Sequence, residues 1–354
     1  MKKRLLSLFI GLVFIFPFFC VTGCSEPTLL VFRNSFYEGK TPDKPYAETL
    51  TYNVEYTKNT LSTLFAYNEE ENYAYNDMVK FSFSDGKYTS KLSITPQKPQ
   101  QLSEIESDIF DGDIKSKMYY HLICNFEIVA NYHVTGEQPI AHKDTITQEV
   151  YFCDSNLAFA PIYSKTISDY TILSYTQDEA FTQNVKTSYE IVYNISNYTI
   201  NSTSVIDDNI NDKRTSSNTY EYTFRTAIDN NQLLFLIRNT EISNDSRANL
   251  PTISLNYGEA QDVEIYNKTT TKETFDINFN GVNFKEEINY KELYFYLENI
   301  NASGATQKLF VQAKQSENFK SLALPVIYEE SLIAYSSFSP MGTLKYTLKS
   351  VVTE

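Results

Sequence analysis

The 354-residue chain has no tryptophan, only three histidines and only four cysteines. Without tryptophan, the exposed indole platforms that often bind sugar rings are excluded. Three histidines leave few general bases. Positive charge is also scarce: 30 Lys and Arg face 44 Asp and Glu, for a formal charge of −14. That balance argues against nucleic acid and against electrostatic adhesion to anionic lipid. There is no Gly-x-Ser-x-Gly elbow, no His-Glu-x-x-His and no phosphate-cradling glycine loop. No catalytic residue, metal ligand or cofactor is therefore assigned. Two distant carboxylates converging in a cleft can still hydrolyse a glycoside, and spacing does not reveal such a pair.

A long apolar run occurs once. Lys2, Lys3 and Arg4 precede Leu5 to Phe19, interrupted by Ser7, Gly11 and Pro17. This is the charged and apolar grammar of a signal peptide over residues 1–23. Val21-Thr22-Gly23-Cys24 follows. These four residues resemble the lipobox of bacterial lipoproteins. The resemblance implies cleavage before Cys24, a diacylglycerol anchor on its thiol and an extracytoplasmic membrane address. Two acyl chains on one cysteine give a stable anchor where one is marginal. Loss of the leader's three basic residues would take the formal charge from −14 to −17. Nothing after the leader matches the roughly 17–25 apolar residues of a spanning helix, so the remainder is expected to be soluble and tethered.

The 28 Tyr and 24 Phe suit wide sheet surfaces. Residues 24–46 carry Pro27, Gly39, Pro42 and Pro45 with little period and read as a tether. Leu50, Tyr52, Val54 and Tyr56 then alternate with Thr51, Asn53, Glu55 and Thr57, the period of a strand. Lys80–Ile94 reads as a hairpin turning at Asp85-Gly86. Tyr119–His133 and Thr145–Cys153 read as partners. Thr187–Tyr193 with Tyr198–Ile206, and Tyr220–Ile228 with Gln232–Arg238, read as hairpins. Val263–Thr270 and Thr274–Phe279 precede a tight Asn280-Gly281 turn. Lys308–Lys314, Leu322–Tyr328, Ser331–Phe338 and Thr343–Val352 complete the strands. The expected class is mainly β: an antiparallel meander of curved sheets, half-barrel or sandwich, divided as 47–180 and 181–354.

One segment departs from this period. Tyr290, Leu293, Tyr294 and Leu297 fall on one helical face, with Asn289 and Glu292 spaced as a capping box, which predicts a short helix near 290–299. That segment, the glycine-led strands at Gly304–Lys314 and the final Gly342–Tyr346 strand faintly resemble exported half-barrel proteins of unknown function. The resemblance implies a concave sheet face that holds acyl chains or packed side chains. A short echo, Lys87-Tyr88-Thr89-Ser90-Lys91 against Lys345-Tyr346-Thr347-Leu348-Lys349, is what a Tyr/Thr/Lys-rich chain yields from composition alone.

His121, His133 and His142 lie within 22 residues. On one strand the first two would sit roughly 40 Å apart at about 3.3 Å per residue, and His142 is expected in a loop, so no zinc site is expected. Glu104, Glu106, Asp108, Asp111 and Asp113 lack the spacing of a calcium loop and read, like Glu69-Glu70-Glu71, as solvated acid. Cys124 and Cys153 remain after Cys20 is cleaved off and Cys24 lipidated. Their strands should pair, but the apolar faces align even with even. Cys124 then falls opposite residue 152 or 154 and points away from Cys153, so no disulfide is expected. The expected function is a surface-anchored, non-enzymatic binding module at the cell envelope. The alternatives are a carrier or sensor of a hydrophobic ligand and a carboxylate-based hydrolase.

Overall fold

The computed structural model describes residues 28–29, 45–58, 79–84, 86–104, 118–134, 138, 140–155, 158–175, 180–194, 197, 199–208, 213–221, 228–236, 238, 247–254, 259–297, 306–312, 324–333 and 340–354. The strands, in chain order, are β1 (Thr28–Leu29), β2 (Tyr46–Lys58), β3 (Val79–Phe83), β4 (Gly86–Thr95), β5 (Tyr119–Val134), β6 (Ile140–Ser155), β7 (Ala158–Tyr175), β8 (Ala180–Asn194) and β9 (Thr199–Asp207). They continue with β10 (Arg214–Glu221), β11 (Ile228–Asp229), β12 (Arg247–Ser254), β13 (Glu259–Phe279), β14 (Val282–Leu297), β15 (Thr306–Gln312), β16 (Pro325–Ile333) and β17 (Pro340–Thr353). Helix is confined to α1 (Gln101–Glu104), a 3-10 turn at Asn230–Gln232 and α2 (Leu233–Leu236) among the described residues. The protein is mainly β, as its alternating pattern requires.

All strands join one curved, mixed sheet. From one edge the ladder runs β10, β9, β8, β7, β6, β5, then β4 and β3 end to end along β5, then β2 on β4, then β17, β16, β15, β14, β13 and β12. These pairings are antiparallel. The exceptions are two-residue parallel contacts of β1 and β11 with β12 and of β13 with β17. Through Asn278↔Ser350 and Phe279↔Val351 the sheet curls back on itself.

Three expectations are corrected. The segment near 290–299 is not a helix: residues up to Leu297 belong to β14, paired with β13 on one side and β15 on the other. Two full ladders outweigh a helical spacing of side chains, and Tyr-Phe-Tyr suits a strand. Lys80–Ile94 is not a hairpin either. β3 and β4 both pair with β5 in the same direction and differ by one residue in register, so they form one bulged line. Gly86 serves close approach there: a Cβ would lie 2.5 Å from the Glu127 carbonyl oxygen. Gln232–Arg238 is not a strand but begins with helical turns. Two smaller differences accompany these. The two separate strands read within 263–279, and the two within 322–338, are in each case one strand, β13 and β16, as far as they are described. The Asn280-Gly281 turn stands as expected, with φ of 49° and 87°.

The main core lines one sheet face. Leu50, Tyr52, Val54, Leu92, Ile94, Tyr120, Leu122, Val150, Phe152, Ile277, Leu348 and Val351 pack there, almost fully buried. Complete burial of such a side chain contributes about 1.5–3 kcal/mol. The Tyr52 hydroxyl donates to the Pro325 carbonyl at 2.8 Å, which satisfies a phenol deep in this core. A smaller cluster, Tyr151, Cys153, Ala160 and Ile162, lies apart and is covered by Leu102 from α1. The Tyr151/Phe152 register shift between β6 and β7 sits beside it, with Pro161 at the irregularity, where a missing N–H is tolerated.

Candidate functional site

The densest polar chemistry gathers on the segment from Ile228 to Arg238, which lies where the two arms of the curved sheet approach. Its start, Ile228-Asp229, pairs with Thr252-Ile253 of β12. Its next residues reach β7 and β8. Asp229 caps the turn by accepting from the Asn231 N–H at 2.7 Å, while the Gln232 side chain accepts from the Asp229 N–H at 2.8 Å. This is a reciprocal capping box. The other Asp229 oxygen accepts from the Tyr193 hydroxyl of β8. Asn231 donates to Ser164 at 2.9 Å and Thr166 at 3.2 Å, both on β7. Gln232 donates to the Phe159 carbonyl at 3.0 Å. Burial raises the Asp229 carboxyl above its ordinary range, against the opposing pull of Tyr193, Asn231 and Ser164.

With its backbone fixed this way, the segment lowers apolar side chains into the core. Phe235 meets Tyr120, Phe152 and Phe159 with ring centroids 5.5, 5.3 and 5.5 Å away. Tyr120 and Phe152 stack at 4.9 Å. Ile228 and Leu236 are as deeply buried. At the far end Arg238 forms a buried two-pronged pair with Glu48 of β2, its Nη2 3.2 Å from Oε2 and its Nη1 donating to Oε1. Tyr46 donates to the same carboxylate at 2.9 Å. Burial alone would lower the Arg238 pKa, but Glu48 overrides it and the guanidinium is held above its ordinary value. Tyr46 is pushed up by burial and then by Glu48. The sequence held a signal for this: Asp229 followed three residues later by Gln232 is capping-box spacing, and the reading of Tyr220–Ile228 with Gln232–Arg238 as a hairpin obscured it.

His121 and His142 do not converge: they stand nine ladder positions apart, opposite Tyr151 and Ala130. His121 and His133 share β5 as expected, but His142 lies in β6 opposite Ala130 rather than in a loop. His121 stacks on Tyr151 at 4.0 Å, and its Nε2 is 2.7 Å from Glu149. That hydrogen bond, against the effect of burial, holds Glu149 below the usual carboxylate range. Burial and then Glu149 push Tyr151 up to about 12. His142 sits between Asp144, 2.8 Å from Nδ1, and Asn184, 2.7 Å from Nε2. Asn184 also donates to Asp169 at 2.9 Å. Among the described residues no three His, Cys, Asp or Glu side chains are placed to hold a metal ion. Cys24, Glu69-Glu70-Glu71 and the acidic residues from Glu106 to Asp113 lie outside the described residues; Glu104 ends α1.

Cys124 and Cys153 are free and buried. The even-with-even pairing of β5 and β6 is as expected, but displaced: Cys124 faces Gln148, not 152 or 154, and Cys153 faces Tyr119. The two thiols belong to separate clusters of buried residues. Burial raises the Cys124 thiol, against hydrogen bonds from Tyr88 and Ser90.

No family model matches the chain, and no curated protein matches it. Among solved structures it is similar to the β-barrel-like protein of the domain of unknown function DUF1849 from Brucella abortus, at 5% identity and a TM-score of 0.37, over 93% of this chain and 99% of that one.

Proposed function

We propose that the chain is a non-enzymatic binding module held at an extracytoplasmic membrane face by diacylglycerol on Cys24. The anchor half rests on the leader and the Val21-Thr22-Gly23-Cys24 motif. The binding-module half is supported by one observation: the apolar face of the sheet between β5 and β7 is occupied by the chain's own Ile228, Phe235 and Leu236. A carrier would keep that space for its ligand. Recognition of an envelope component then falls to the outer surface. The excess of acid makes nucleic acid a poor partner.

Two measurements test this. Cys24→Ala should abolish lipid labelling and move the protein out of the membrane fraction; unchanged fractionation at unchanged size would refute the anchor. Native mass spectrometry of the purified Cys24→Ala chain should give the bare polypeptide mass. A co-purified acyl lipid removable by organic extraction would replace the binding module with the hydrophobic carrier.

A further inference from the structure

β10 forms an edge of the sheet: among the described residues it pairs with β9 alone, and Arg214 to Thr219 are all exposed. The β9–β10 ladder is unbroken over eight pairs, Arg214↔Ile206 to Glu221↔Thr199. Hydroxyl and amide side chains link it: Ser204 to Ser216 at 2.7 Å, Thr219 to Asn201 at 2.8 Å and Thr203 to Ser217 at 3.3 Å. Proteins usually guard such an edge with proline, an inward charge, a bulge or a very short strand. β10 has none of these; its charges, Arg214 and Glu221, stand at its ends.

We propose that this edge pairs with the β10 edge of a second copy, antiparallel, about a twofold axis through Ser217. Symmetry restricts the register. A twofold relating two antiparallel strands of one sheet stands perpendicular to it, so paired residues share a face and their numbers sum to an even value. With Ser217 on the axis, Ser217 faces Ser217, Ser216 faces Asn218, Thr215 faces Thr219 and Arg214 faces Tyr220 of the other copy. Lys213, exposed just before β10, then faces Glu221, which is exposed at its end. Among the described residues neither has an ion-pair partner within its own chain. Centring on Ser216 or Asn218 breaks this match between Lys213 and Glu221. Arg214 stays on Asp208 at 2.7 Å and need not move. The result is an isologous dimer whose sheet runs on from one copy to the other. A single strand pair buries less than the roughly 800 Å² per partner of a standard interface. The dimer is therefore weak in dilute solution, and covalent capture is the suitable readout.

The test uses the full chain carrying Ser217→Cys. Residues directly opposite in an antiparallel pair lie about 4.5–5.5 Å apart at Cα, within disulfide range. Mild oxidation should give a disulfide-linked dimer in much higher yield than Thr203→Cys, an exposed control one strand inward, or the parent chain, which shows whether Cys24 contributes. Adding Lys213→Glu or Glu221→Lys to Ser217→Cys should each lower the yield about tenfold, because two symmetric sites change from attraction to repulsion. Combining both reversals should restore it. Yield from Ser217→Cys no higher than from Thr203→Cys would overturn the edge pairing. Yield indifferent to charge reversal would overturn the twofold through Ser217. Neither outcome depends on whether the chain is lipid-anchored.

Discussion

Single residues carry several of these conclusions. The alternation of apolar positions gave the parity of β5 against β6 and hence the separation of Cys124 from Cys153. The register itself was not legible, because it depends on the connecting turn, whose geometry the pattern does not encode. Two consequences are measurable. Alkylation under native conditions should leave both thiols unmodified; in denaturant without reductant both should react, and a mass two hydrogens light would refute the register. Gly86 was read as a turn glycine and proved to be a close-approach glycine. Gly86→Ala would force its Cβ against the Glu127 carbonyl and Ile128, and should cost about 1–3 kcal/mol in urea unfolding. Glu149 gives a pH signature. Its folded pKa is depressed, chiefly by His121. Its stabilisation is therefore present above the unfolded carboxylate range and is lost as pH falls through the depressed value. Glu149→Gln should flatten the acid limb of the stability profile; an unchanged limb would assign the acid sensitivity elsewhere.

At the scale of elements, legibility followed length and the strength of period. The alternation at 50–57 and the Asn280-Gly281 turn led to the observed structure. The segment near 290–299 did not, because its aromatic residues satisfy a helical spacing and a strand composition at once. The capping-box spacing at Asn289 and Glu292 was misleading, while that at Asp229 and Gln232 was real. What separates them is the partners rather than the spacing: the adjacent strands β13 and β15 flank the first as ladders, whereas side chains of β7 and β8 and the end of β12 receive the second. The Ile228–Arg238 segment makes a decisive prediction. Arg238→Met leaves the Glu48 carboxylate buried without its cation and should cost about 3–5 kcal/mol. Arg238→Met with Glu48→Leu removes both charges and should recover most of that loss. If the double variant is no more stable than the single one, the pair is not what ties this segment to β2.

For the whole molecule, the decisive contacts are the least local ones. β17 lies between β16 and β2, and its far end touches β13. Lys87–Lys91 and Lys345–Lys349, the short echo in the sequence, stand on β4 and β17, which flank β2 on either side. Their tyrosines, Tyr88 and Tyr346, meet edge-on at 5.4 Å. No sequence pattern announces that residues near 50 and near 350 are neighbours, so the closure of the sheet was the least legible feature. β17 supplies Leu344, Tyr346, Leu348 and Val351 to the core and the inner ladder to β2. Pairing so distant in sequence forms late and slowly, because chain closure precedes its reward. A chain ending before Pro340 should therefore lose cooperative unfolding altogether, since it leaves β2 and β16 with bare inner edges and an opened core. Near-ultraviolet circular dichroism and a thermal melt would show this as missing tyrosine asymmetry and a flat transition. A truncated chain that melts cooperatively, within a few degrees of the full one, would show that the strands before β17 form a self-sufficient core and that this closure adds little to the fold.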